Sequence, residues 1–118
     1  MARCDQGYLC RVCGEEVEHI TESELYLRYV IGEVDHATLH ETSECHLQCN
    51  PALAQFIDDP NFALTNAVPE LYAKAGLDPD YVAKRIEAVS RGYRRLWEIR
   101  GNRNRFPRVA DYPLDADQ

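Results

Sequence analysis

Two short stretches decide how the chain reads: Cys10-Arg11-Val12-Cys13-Gly14 and His46-Leu47-Gln48-Cys49. The first is a pair of cysteines separated by two residues and closed by a glycine. The second is a histidine and a cysteine at the same spacing. Thiolates and an imidazole arranged as two doublets suit a tetrahedral ion, and zinc fits such a closed structural site. Gly14 suits the tight turn of a knuckle in which backbone amides point at the sulfurs. The favoured ligands are Cys10, Cys13, His46 and Cys49, but spacing leaves the choice open at one position. Cys45 or His40 could replace His46, since Cys45 and Cys49 also form a CxxxC step. In the favoured set Cys45 is a spare and Cys4 is free.

Outward from the doublets, the chain reads as mainly α with a small β component. Glu16-Val17-Glu18-His19-Ile20 alternates and predicts a short strand leaving the knuckle. Thr21 and Glu24 form a capping box, with Ile20 and Leu25 as its staple, opening a helix over residues 25–31 that Gly32 stops in a left-handed conformation. Residues 33–45 are polar and predict a loop or a broken helix. Asn50 is suited to cap a helix whose first position is Pro51 and whose buried side is Leu53, Phe56 and Ile57. Cys49 then lies at the positive end of that helix, which would lower its thiol pKa. A short helix is expected over residues 69–75. Asp78 and Pro79 open the longest one, where Val82, Ile86, Val89, Tyr93, Leu96 and Trp97 recur at helical spacing as far as about Arg100.

The order of knuckle, intervening element and ligand pair at a helix start resembles the treble-clef class of zinc fingers. The resemblance covers Cys10, Cys13, Gly14, His46 and Cys49 with the helix that follows, and implies structural zinc. A helix stands between the two ligand pairs where the class has a hairpin. Within the class, Glu18-His19-Ile20 and Cys49-Asn50 are similar to the HNH nucleases. That resemblance implies His19 as a general base oriented by Asn50 in a metal-dependent nuclease. Asp35-His36 is a second candidate pair. His19 follows Cys13 more closely than the HNH pattern has it, and no further acidic or histidine ligand follows Cys49. No nucleophile elbow, phosphate-binding glycine loop or HExxH helix is present, so enzyme activity has little support.

Composition bounds the rest. The 118 residues suffice for one domain, 1–118, read as a zinc-binding half (1–60) and a helical half (61–118) with a basic C-terminal helix and tail. There is no apolar run near the roughly 18 residues a membrane span needs, no export signal is expected, and an odd number of cysteines beside histidines favours metal over disulfides. A cytoplasmic location is expected. The net charge of −7 is uneven: residues 84–108 carry nine basic side chains against two acidic ones. That patch predicts a surface for nucleic acid or an acidic protein, formed by Lys84, Arg91, Arg94, Arg95, Arg103, Arg105 and Arg108. Phe106 would stack a base or anchor the tail. A second copy of the chain is a further candidate partner, through its acidic half.

Overall fold

The computed structural model describes residues 9–65, 67–102 and 104–114, with His40 described by its backbone alone. It is mainly helical: α1 (Glu24–Val30), α2 (Pro51–Ala54) and α3 (Pro79–Gly101) are joined by 3-10 turns. Among the described residues β structure is confined to two isolated bridges, Leu9 with Glu16 and Ser23 with His46. The strand expected over residues 16–20 does not form. Glu16 pairs once with Leu9, Val17 turns inward, and Ile20–Glu22 winds into a 3-10 turn.

Helix α1 begins two residues later than the capping box suggests. Ser23 is the cap, its Oγ accepting from the Tyr26 amide at 3.0 Å. Glu24 does not reach back to Thr21; its carboxylate turns into the protein. The expected stop holds. Gly32 takes φ +91°, its amide donates to Tyr29 O at 3.2 Å, and the Glu33 amide donates to Arg28 O at 2.8 Å, the double closure that a left-handed residue permits. Residues 36–41 form a 3-10 helix inside the segment expected to be loop or broken helix.

Asn50 caps α2 as expected, Oδ1 accepting from the Leu53 amide at 3.3 Å. The helix is shorter than its apolar residues suggest, and i to i+3 bonds carry the turn through Ile57. The helix expected over residues 69–75 is instead two 3-10 turns, Glu70–Tyr72 and Lys74–Gly76, split at an extended Ala73. The Gln55 side chain explains the break. Its Nε2 donates to Tyr72 O at 2.7 Å while its Oε1 accepts from the Lys74 amide at 3.1 Å, so one carboxamide satisfies the backbone on both sides of Ala73.

Helix α3 starts at the predicted cap, Asp78 Oδ2 accepting from the Tyr81 amide at 3.0 Å. Its buried side is Val89, Ser90, Gly92, Tyr93, Leu96 and Ile99, whereas Val82, Ile86 and Trp97 of the expected stripe are only half-buried. Gly92 and Ser90, invisible to an apolar pattern, face neighbouring segments closely. Gly92 faces Leu27, Val30 and Ile31 of the α1 segment. Ser90 Oγ donates to Phe56 O at 3.2 Å and accepts from the Asp58 amide at 2.8 Å. The tail then recrosses α1: Tyr29 donates to Val109 O at 3.0 Å and the Leu114 amide donates to Val30 O at 2.9 Å. Buried residues from Ile20 to Phe106 form one cluster, and Cys10, Val17 and Cys45 form a smaller one beside it.

Candidate metal centre

The smaller cluster is built by the knuckle. The Cys10 amide donates to Glu15 O at 2.8 Å, and the Gly14 amide donates to Cys10 O at 2.9 Å, with Gly14 at φ +78° making this reversal. The amides of Val12 and His46 both donate to Cys10 Sγ at 3.4 Å, one from each doublet. The second doublet is a 3-10 turn, Leu47–Cys49, in which the Cys49 amide donates to His46 O at 2.9 Å. Folding thereby brings Cys10, Cys13, His46 and Cys49 together, with one ligand atom from each lying within 4.8 Å of the others.

The imidazole shows which of its nitrogens faces inward. His46 Nε2 lies 2.9 Å from the carbonyl oxygen of Glu16. A carbonyl only accepts, so Nε2 carries the proton and the neutral ring presents its lone pair on Nδ1. Nδ1 lies 3.3 Å from Cys13 Sγ and 3.9 Å from Cys49 Sγ. Ligand atoms of a tetrahedral site with bonds of about 2.0–2.3 Å stand roughly 3.5 Å apart, close to these separations. The four side chains could hold a metal ion, and none of the four described cysteines is in a disulfide.

The electrostatics fit a cation. Burial raises the Cys10 thiol, but the backbone amides of Cys13, His46 and Val12 outweigh it and hold the group at about 5. Burial, followed by hydrogen bonding to Cys10 and Cys13 and their charges, pushes Cys49 up to about 12. The expectation of an activated Cys49 at a helix N-terminus is therefore reversed. The α2 helix is only four residues long, and the stabilising amides converge on Cys10 instead. His46 is raised: burial acts against its charge, and the Glu16 carbonyl and Cys10 favour it. One thiolate suppresses the next, and a divalent ion among them would remove that conflict.

Cys45 stands outside this set. It is fully buried, its Sγ directed at His46 O at 3.3 Å, and burial pushes it up to about 12. The Glu24 amide donates to Cys45 O at 2.8 Å, and the bridge between Ser23 and His46 orients the next residue outward. Cys4, Arg103 and the side chain of His40 lie outside the described residues. An open cleft of about 500 Å³ reaches His46 and Cys49 from the α3 side, past Phe62, Tyr93 and Trp97.

The other expected residues are dispersed. His19 is exposed, and no contact joins it to Asn50 among the described residues. Asn50 instead caps α2 and donates from Nδ2 to Glu24 Oε2 at 2.8 Å. Asp35 and His36 flank the start of an exposed 3-10 helix. The basic set divides into two. The Arg95 and Arg105 guanidiniums stand 5.0 and 5.4 Å from the centre of the Phe106 ring, so Phe106 is buried as an anchor, and Arg108 pairs with Asp111 at 3.0 Å. Lys84, Arg91 and Arg94 have no intramolecular partner among the described residues and stand on α3 at helical spacing. Among the described residues, no helix is long and apolar enough to cross a membrane.

The polar shell of the centre was not legible in the sequence. Glu24 and Glu44 are fully buried, and Ser23 Oγ donates to Glu44 Oε1 at 2.8 Å. The only signal was Glu24 at a helix start, which reads as a solvent-exposed cap. Comparison with family models, curated proteins and solved structures finds no match to the chain.

Proposed function

We propose that Cys10, Cys13, His46 and Cys49 bind one structural zinc ion and that the protein is a zinc-stabilised interaction module whose α3 surface meets an acidic protein segment. The observation that carries the reading is the convergence of three thiol sulfurs and an imidazole nitrogen within 4.8 Å, with the other ring nitrogen on the Glu16 carbonyl. Four protein ligands complete a tetrahedral shell and leave no open position for a substrate, which is the arrangement of a staple rather than of a catalytic ion. Soft thiolates with imidazole suit zinc among divalent metals. A knuckle followed by a ligand pair at the start of a helix is the treble-clef order. Free thiols at the centre suit a reducing, cytoplasmic setting.

The partner surface is smaller than composition suggests. Arg85, Arg95, Arg100, Arg105 and Arg108 are engaged within the protein, leaving Lys84, Arg91 and Arg94 with Glu87 among them. Three cations on a chain of net charge −7 make few phosphate contacts and favour a short acidic peptide over a nucleic-acid backbone.

Elemental analysis of untagged protein tests the metal, with one zinc per chain expected and loss in Cys10→Ser and His46→Ala. Fluorescence anisotropy with a labelled oligoglutamate peptide and a labelled single-stranded oligonucleotide tests the surface. Salt-sensitive peptide binding, abolished by combining Lys84→Glu, Arg91→Glu and Arg94→Glu, is expected. Preferential oligonucleotide binding, or peptide binding indifferent to the triple reversal, would refute the partner assignment.

A further inference from the structure

A residue inside the first doublet and the residue that follows the second meet at a single carboxylate oxygen. Glu24, the first residue of α1, is 1% exposed. Its Oε2 accepts from Asn50 Nδ2 at 2.8 Å and lies 3.8 Å from Arg11 Nη2 and 3.7 Å from Arg28 Nη1. Arg11 lies inside the first doublet, between Cys10 and Cys13, and Asn50 directly follows Cys49 in the second. The backbone repeats the connection. The Glu24 amide donates to Cys45 O at 2.8 Å, and the Arg11 amide donates to Glu44 O at 3.0 Å.

A carboxylate at a helix N-terminus is favourable while it remains in water. Taking it out of water costs several kcal/mol, and the interactions recovered must come from well-placed partners. Stabilising α1 alone would not require that burial. What the buried position adds is a link between two loops that have no other side-chain to side-chain bond outside the ligands themselves among the described residues.

We propose that Glu24 is the positioning residue of the metal centre: by holding Arg11 and Asn50 on one oxygen it sets the two doublets at coordination distance before an ion binds. The inference rests on the reading of the four side chains as a metal site. Ordering the loops during folding leaves less to be ordered on binding, so the ion is held more tightly and released more slowly.

The test is zinc affinity at pH 7, by competition with a chromophoric chelator, together with the release rate into excess chelator. The proteins compared are wild type, Glu24→Gln, Arg11→Ala, the double variant and Val89→Ala, each under conditions where it is folded. Glu24→Gln keeps the shape but removes the charge, and should weaken zinc about tenfold and speed its release. Arg11→Ala should act in the same direction by a smaller factor, and the double variant should be no weaker than Glu24→Gln alone, because both act through one contact. Val89→Ala, which opens the larger apolar core without touching the Glu24 contacts, should leave the affinity of folded protein within twofold of wild type. Affinity of Glu24→Gln within twofold of wild type overturns the inference, as does an equal loss in Val89→Ala. Should Glu24→Gln not fold, Arg11→Ala decides alone, since its side chain is 43% exposed and its replacement opens no cavity. Wild-type protein that binds no zinc overturns the metal reading itself, whereas wild-type binding with unaltered variants overturns only the role of Glu24.

Discussion

Burial couples the protonation of Glu44 to folding. Burial raises its carboxyl to about 7, with the nearby Glu24 adding to the rise and the Ser23 hydroxyl and Cys45 amide opposing it. The folded state therefore binds a proton that the unfolded chain, near the ordinary 4.5, has already released. The resulting stability is fully present below the unfolded pKa and is lost as pH rises through the folded value. Glu44→Gln removes this dependence. Urea unfolding of both proteins should show the variant gaining roughly 2 kcal/mol relative to wild type between pH 5 and pH 8. Both share the metal centre, so its own pH dependence cancels in the difference. A difference that is flat with pH, or of opposite sign, would show that Glu44 is not buried as described.

Between elements, the decisive contact is the crossing of α1 and α3 at Gly92. A Cβ there would lie 2.8 Å from Leu27 Cδ1 and within van der Waals overlap of Ile31 Cγ2. On an exposed helix, Gly→Ala gains up to about 1 kcal/mol of helix propensity. Here overpacking should win, since Leu27 is fully buried and has nowhere to move. Gly92→Ala is expected to destabilise by about 1–2 kcal/mol, measured by chemical denaturation, and Gly92→Val by more. A stabilised Gly92→Ala would mean that the helices do not approach this closely. The same scale shows how far local pattern reaches. Asn50, Asp78 and Gly32 cap or stop their helices where the sequence places them, because each bond spans at most five residues. Ser23 displaces Thr21 as a cap through a bond that spans only three residues, whereas Gln55 splits residues 69–75 through bonds from a distant segment that local pattern cannot see.

Over the whole molecule, the two hydrophobic clusters divide the labour. The larger is closed by α1, α3 and the returning tail, while the smaller consists of Cys10, Val17 and Cys45 with Cys49 against it. With so few apolar groups to hold that loop against its conformational entropy, the proposed ion would supply much of its stability. Chelation should lower the melting temperature. In hydrogen exchange it should first release the amides of Cys10, Arg11 and Gly14, while those of Val89 to Ile99 in α3 stay protected. Uniform loss of protection across α3 and the knuckle would instead make the centre part of one cooperative core. Acid should act in the same direction as chelation, because Cys49 must lose a proton to ligate and protons therefore compete with the ion.

Determined by the sequence alone were the mainly helical character, the caps at Asn50 and Asp78, the stop at Gly32, and the two doublets from which a metal site could be drawn. These follow from side-chain chemistry and from bonds between near neighbours. Tertiary structure alone decided that Cys10, Cys13, His46 and Cys49 converge within 4.8 Å while Cys45 is buried beside them, and that Glu24 is buried between the doublets. It also decided that Arg95 and Arg105 close on Phe106, leaving Lys84, Arg91 and Arg94 open. In each case the outcome depends on which distant segment removes a polar or charged group from water, a balance of desolvation against partners that no local spacing encodes.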